Sequence, residues 1–105
     1  MTVADWLSLR SPRPPEAVRA RVAFRLGADA NADAGEAGAV CLAASVRIIA
    51  ALTAGDARAR DHAMDLLAAD ALITYAIEAA VSDASDFAVA MDAMVRDLSS
   101  IRHVA

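Results

Sequence analysis

Apolar side chains recur at intervals of three and four residues along most of the chain, which is the pattern of amphipathic helices. Apolar and polar residues do not alternate over the length of a strand, so no β-strand is predicted. Thr2 and Asp5 have the spacing of an N-terminal capping box at the start of the first apolar segment. The pattern predicts one short helix and four longer ones, at residues 3–10, 14–27, 34–54, 57–81 and 84–102.

Breaks between these helices are marked by particular residues. The run Ser11–Pro15 contains three prolines, and proline cannot continue a helix and restricts the residue before it. Asp83 precedes Asp86 by three residues, which is again the spacing of a helix start. We therefore expect the fourth helix to end near Val81 and a separate last helix to begin near Ala84.

Four long helices joined by short turns indicate an all-α fold, in which the main helices form an antiparallel bundle and the short N-terminal helix packs across one end. Residues 34–54 carry only Glu36 and Arg47 as charges and should form the most buried helix. No internal repeat or linker divides the chain, so residues 1–105 are expected to form a single helical domain.

Composition narrows the classes of function. Alanine accounts for 29 of the 105 residues, which favours closely packed helices with modest burial per side chain. The formal net charge is −4, and an acidic domain is a poor general binder of nucleic acid, so no nucleic-acid partner is expected. Cys41 is the single cysteine, which excludes an intramolecular disulfide and a cysteine-based metal cluster.

The chain also lacks the patterns of membrane insertion and of cofactor binding. Asp5 lies where a signal peptide would be apolar, and the apolar run 39–54 is short for a membrane span and is interrupted by Arg47. We expect no membrane span and a cytoplasmic location. Serine nucleophile motifs, Gly-rich phosphate loops and paired cysteines are absent, so no catalytic residue and no cofactor are predicted.

Two charged residues lie where apolar ones are expected. Asp70 falls within an apolar arc of the fourth helix, and a carboxylate directed at a core must be paired, hydrogen-bonded or protonated. Arg47 lies in the apolar third helix, and its guanidinium could clamp a carboxylate or a phosphate. Two interpretations remain open: Arg47 and Asp70 form a buried ion pair, or they belong to a ligand-binding site. The arc around Asp70 consists of Leu66, Ile73, Ile77 and Val81.

A metal site is a weaker hypothesis. Asp61, His62 and Asp65 bring two carboxylates and an imidazole within about one helical turn, a spacing that can present ligands to a metal. Carboxylate-bridged sites in bundles need matching pairs on other helices, and the sequence has no second one. We expect no metal, with these three residues as the candidates if one is bound.

One segment resembles a known family. The helix Leu67–Glu78 is similar to the LAGDALLTLAFE-type helix of isoprenyl diphosphate synthases, which are all-α enzymes that bind allylic diphosphates through magnesium. The aspartate-rich motifs that hold magnesium in that family are missing here. The resemblance therefore implies a remnant, a miniature relative or a non-catalytic accessory subunit. The matching residues are Leu67, Ala68, Asp70, Ala71, Leu72, Thr74, Ala76 and Glu78.

These observations favour a small non-enzymatic helical protein that acts by association, either with itself or with a protein partner. Alanine-rich helices bury little area each, so a further face buried in an oligomer would add stability. The expected contact surfaces are the last helix, through Phe87, Met91 and Met94, and the first helix, through Trp6. The alternative is a small ligand-binding or isoprenoid-related protein with a site around Asp70 and Arg47.

Overall fold

Helices make up the regular secondary structure of the residues that the structure describes. The computed structural model describes residues 1–55 and 59–104, and within them it confirms the all-α fold class. The expected start of the fourth helix at residue 57 lies outside the described residues. The α-helices are α1 (Val3–Ser8), α2 (Glu16–Leu26), α3 (Ala37–Thr53) and α4 (Ala59–Val104), and two short 3₁₀ turns (Gly27–Asn31 and Ala34–Glu36) join α2 to α3.

The start of α1 has the capping box that the sequence predicts. The Asp5 backbone N–H donates to Thr2 Oγ1 at 3.2 Å, and the Thr2 backbone N–H donates to Asp5 Oδ2 at 3.0 Å. The same end is tied to the turns before α3, because the Val3 N–H donates to the Ala32 carbonyl at 2.9 Å. Val3 is fully buried there. These bonds hold the short first helix against the body of the protein.

Helix α2 begins directly after the three prolines and ends where the backbone of Gly27 adopts a φ of +54°. That left-handed conformation favours glycine and stops the helix. Val18, Val22 and Leu26 lie on one stripe of α2 and are buried in the core. The order of residues thus explains both ends of α2 and the face that it buries.

Helices α3 and α4 run in opposite directions. A Cβ added at Gly38 would lie 3.2 Å from the Cβ of Ala79, so the start of α3 lies beside residue 79 of α4. Both helices meet through small residues, which allow their backbones to approach closely. The buried residues are Ala37, Cys41, Ala44, Ser45 and Ile48 of α3, and Asp65, Ala68, Ala69, Leu72, Tyr75 and Ala79 of α4. Helix α3, which the sequence predicts to be the most buried helix, is therefore buried on one face and exposed on the other.

The expected break near residue 82 is not formed. Helix α4 continues for 46 residues, a length of about 69 Å at 1.5 Å per residue. Asp83 and Asp86 lie inside it and cap nothing. The reason is visible in the sequence: no glycine or proline follows Gly55, and the segment is rich in alanine, the best helix former. The prediction of two separate helices, at 57–81 and 84–102, was therefore wrong.

The second half of α4 projects from the body. Every side chain from Ala80 to Ser100 is exposed, and the molecule measures 70 × 24 × 23 Å. Beyond Ala79, the positions that continue the buried stripe of α4 include Asp83, Asp86 and Asp97. Carboxylates are costly to bury without partners. The helix therefore leaves the body where its inner face turns acidic.

Two leucines of α4 test which face packs in the core. We expect Leu72→Ala to lower the free energy of unfolding by about 2–5 kcal/mol, because Leu72 is fully buried and its truncation leaves a cavity. Leu66→Ala is the matched control, since Leu66 is 61% exposed. Its cost should stay below about 0.5 kcal/mol. Both free energies are measured by denaturant unfolding of dilute protein. The opposite order would mean that the apolar arc around Leu66 faces the core.

Candidate functional site

Asp65 is the most strongly bound charged residue in the described part of the chain. Its side chain is 3% exposed and receives hydrogen bonds from two arginines of α2. Arg21 Nε donates to Oδ1 at 2.6 Å, Arg25 Nε donates to Oδ1 at 2.9 Å, and Arg25 Nη2 donates to Oδ2. The hydrogen bonding by Arg25 contributes most, followed by that of Arg21, and together they lower the pKa of Asp65 from an ordinary value of 3.8 to about 2. This charge cluster joins α2 to α4.

The same cluster argues against the metal hypothesis. Both oxygens of Asp65 accept bonds from guanidinium groups, whereas Asp61 is exposed and His62 is half-buried. Among the described residues, no group of three His, Cys, Asp or Glu side chains is placed to hold a metal ion. The Asp65 side chain points toward α2, whereas Asp61 and His62 do not share its contacts, although they lie only four and three residues earlier in the sequence.

The expected pair of Arg47 and Asp70 is not formed. Arg47 is exposed, and its Nη2 donates to Asp29 Oδ2 at 3.3 Å across the turn between α2 and α3. Asp70 is also exposed. The prediction was wrong because it took the apolar arc around Asp70 for the inner face of α4, whereas the face that packs is the one with Asp65 and Leu72. Arg47 and Asp70 therefore form no ion pair with each other, and a ligand site that includes them stays a prediction.

Leu66, Ile73 and Ile77 of that arc belong to a longer feature, which we call the outer stripe of α4. Successive residues of the outer stripe are separated alternately by four and by three positions. This is the spacing of a heptad seam, and it is kept over more than four heptads. Asp70 is its single charged member, and Ile73 is half-buried while the others are exposed. The outer stripe consists of Leu66, Asp70, Ile73, Ile77, Ala80, Ala84, Phe87, Met91, Met94 and Leu98.

Helix α3 adds a second apolar row beside the outer stripe. Leu42, Val46 and Ile49 are exposed and lie about a third of a turn from the buried stripe of α3. The outer stripe is displaced from the buried stripe of α4 by a similar angle and in the same rotational sense. Because α3 and α4 run in opposite directions, the two rows lie on the same side of the helix pair and form one apolar face.

This face is large for a protein of 105 residues. Twelve large apolar side chains on or beside it are between 39% and 67% exposed. Aromatic side chains present roughly 150–250 Å² when fully exposed and aliphatic ones somewhat less, so twelve side chains that are about half exposed offer on the order of 1,000 Å². Monomeric proteins rarely expose more than a few hundred Å² of contiguous apolar surface. The twelve are Leu42, Val46, Ile49, Leu66, Leu67, Ile77, Val81, Phe87, Met91, Met94, Val95 and Leu98.

Trp6 packs within its own chain, and its expected role as a contact surface for association stays a prediction. Its ring packs edge to face against Tyr75 with a centroid separation of 6.4 Å, and the Arg10 guanidinium lies 4.3 Å from its centroid. It is half-buried. Within the described residues Trp6 therefore fastens α1 to α4.

Two pockets lie close to α1. One, of about 200 Å³, is lined by α1 and α2 residues together with Tyr75, and the other lies between Arg10 and Glu78. Neither is lined by Arg47 or Asp70. Ligand pockets usually measure about 300–1,000 Å³, so the first is small for a drug-sized molecule, whereas the second, of about 490 Å³, is within this range but more open to solvent. The residues singled out as a ligand site therefore do not line either of these cavities.

One helical segment, Ala34–Thr53, has the length and composition of a membrane span, with a mean hydropathy of 1.6. It includes α3 and the turn before it. Cys41, Ala44 and Ile48 of this segment lie in the core, and 28% of its most apolar stretch is buried. The core helix of a soluble domain has the same composition.

Comparison with protein-family models, with curated proteins and with solved structures finds no match to this chain.

The charge cluster gives a direct test of how α2 is joined to α4. We expect Asp65→Asn to cost about 3–5 kcal/mol of unfolding free energy, because it leaves Arg21 and Arg25 without their anion in a partly buried place. Asp61→Asn is the matched control, four residues earlier and exposed, and should cost less than about 0.5 kcal/mol. Chemical denaturation measures both, and equal effects would contradict the role of Asp65.

The lowered pKa of Asp65 makes a prediction in acid. Because the folded-state pKa, about 2, lies below the ordinary 3.8, the carboxylate stabilises the fold above about pH 4 and loses that contribution as the pH falls toward 2. The difference in unfolding free energy between the native protein and Asp65→Asn should therefore shrink by about 2 kcal/mol between pH 5 and pH 2. A difference that stays constant across this range would show that Asp65 is not held by the arginines.

Proposed function

We propose that this protein acts by association and not by catalysis, and that it associates with a second copy of itself through the outer stripe of α4. The observation that carries the proposal is the length of the seam. Apolar residues at heptad spacing sustained over three or four heptads are typical of a helix that packs along another helix. In the described residues this seam is exposed along nearly all of its length.

The energetics favour coverage of this face. Apolar burial contributes about 25 cal/mol per Å², so covering even half of a face of about 1,000 Å² would stabilise an assembly by more than 10 kcal/mol before the costs of association. A stable interface buries about 800 Å² on each partner, which the face can supply. Association in this way would also provide the antiparallel bundle of four main helices that the sequence suggests for a single chain.

The alternative, a ligand site around Asp70 and Arg47, has less support. Arg47 binds Asp29, Asp70 is exposed, and neither lines the two pockets near α1. The resemblance of Leu67–Glu78 to isoprenyl diphosphate synthases concerns a segment whose Leu72 and Ala68 pack in the core. Packing of alanine-rich helices explains those residues without a diphosphate. Association in the cytoplasm, without nucleic acid or cofactor, is thus the function we propose.

Two exposed residues of the projecting half test the outer stripe. Phe87 and Val89 are both 67% exposed, but Phe87 belongs to the outer stripe and Val89 lies on the other side of α4. We expect Phe87→Gln to raise the dissociation constant of the self-associated protein about 100-fold, because each of two copies loses about 1.5 kcal/mol or more of aromatic burial. Sedimentation equilibrium over a range of concentrations measures the change.

Val89→Gln is the control and should leave the dissociation constant within about twofold of the native value. Equal weakening by both substitutions would show that the outer stripe is not the interface. A native protein that sediments as a single chain at all concentrations, but binds to lipid vesicles, would replace self-association with membrane binding through α3.

A further inference from the structure

We propose that two copies pair as a reciprocal, two-fold dimer in which α4 of one chain runs antiparallel to α4 of the other, with the axis near Ser82. This arrangement rests on the self-association proposed above and specifies its geometry. The projecting half of each α4 would lie on the apolar face of the partner's body. Each chain thus supplies both an apolar face and the helix that covers the partner's apolar face.

The two halves of the outer stripe have matching lengths. The proximal half, from Leu66 to Ala80, lies on the body beside the exposed row of α3. The distal half, from Ala84 to Leu98, projects beyond the body and has no neighbour in its own chain among the described residues. Both halves span fifteen residues. An isologous contact, in which the same surface faces itself, therefore covers both halves at once.

The heptad register agrees with an axis at Ser82. About this axis, Ile77 lies level with the partner's Phe87, and Ile73 lies level with the partner's Met91. In antiparallel pairs of helices, residues at one seam position of the heptad meet those at the other. Ile77 and Met91 are at heptad position a, and Ile73 and Phe87 are at position d. Each pair therefore joins an a residue to a d residue, and no shift of register is needed.

Charge distinguishes this orientation from a parallel one. In a parallel pair in register, Asp70 would meet the partner's Asp70 within the seam, and like charges in a desolvated contact are destabilising. About the Ser82 axis the two Asp70 carboxylates are separated by 24 residues of helix rise, about 36 Å. Each then lies near the partner's Met94. The one charged residue of the outer stripe thus favours the antiparallel pair.

The reciprocal dimer would also account for the predicted bundle. Each body would gain a fourth long helix, the partner's distal α4, in addition to its own α2, α3 and proximal α4. This is an exchange of identical elements between protomers, and such exchange is a known route to dimers when a hinge straightens. Here the straight segment is residues 81–84, where the sequence suggested a break.

Distances between spin labels test the orientation. A single nitroxide at Ser99→Cys, which lies off the outer stripe, should give a distance of about 50 Å between the two copies in the antiparallel dimer, since residue 99 lies 17 residues from the axis. A parallel dimer would place the same labels within about 25 Å, at neighbouring helix positions. Cys41 is fully buried and should not be labelled in the folded protein.

Ser82→Cys is the matched control, because its labels should lie close together in either orientation. Short distances at both positions would overturn the antiparallel arrangement while leaving self-association in place. Dipolar coupling at neither position, together with the mass of one chain in sedimentation, would overturn both the arrangement and the proposed function. That last result is also expected if each distal half folds back on its own body.

Discussion

The orientation of α4 depends on one carboxylate. Asp65 is buried on the face of α4 that packs, and two arginines of α2 hold it with three hydrogen bonds. A buried carboxylate without such partners would be costly, so α4 cannot rotate about its axis without losing this compensation. The cluster therefore selects the alanine-rich face of α4 for the core. As a consequence, the more apolar face of the same helix remains outside.

Small residues make that choice sterically favourable. Gly38 and Ala79 bring α3 and α4 close together, and Leu72 and Ile48 are the largest fully buried side chains between them. The larger apolar residues of both helices then form a second surface on one side of the pair. Helix α4 thus has two apolar faces: one packs in the core, and the other is the proposed interface. The acidic residues Asp83, Asp86 and Asp97 lie where a continued core face would be, and they explain why the distal half leaves the body.

Much of the fold could be predicted from the sequence, while the placement of the candidate site could not. Prolines, glycines and the Thr2 capping box mark the helices up to residue 55 because these signals act locally. The choice between the faces of α4 is a tertiary matter: a helical wheel ranks Leu66 and Ile77 above Ala68 and Ala79, whereas the bonds of Asp65 reverse that order. The capping spacing at Asp83 failed because alanine-rich segments on both sides continue the helix. The heptad seam was present in the sequence but was divided by the expected break.

We propose the outer stripe of α4 as an interface between two copies, centred on the middle of the helix. Small-angle X-ray scattering of the native protein over a range of concentrations tests it most directly, because it gives mass and length together. Since Ser82 lies midway along α4, we expect a particle with twice the chain mass of 10.9 kDa and a length that stays near 70 Å. A particle with the mass of one chain at every concentration, or a dimer much longer than one chain, would contradict it.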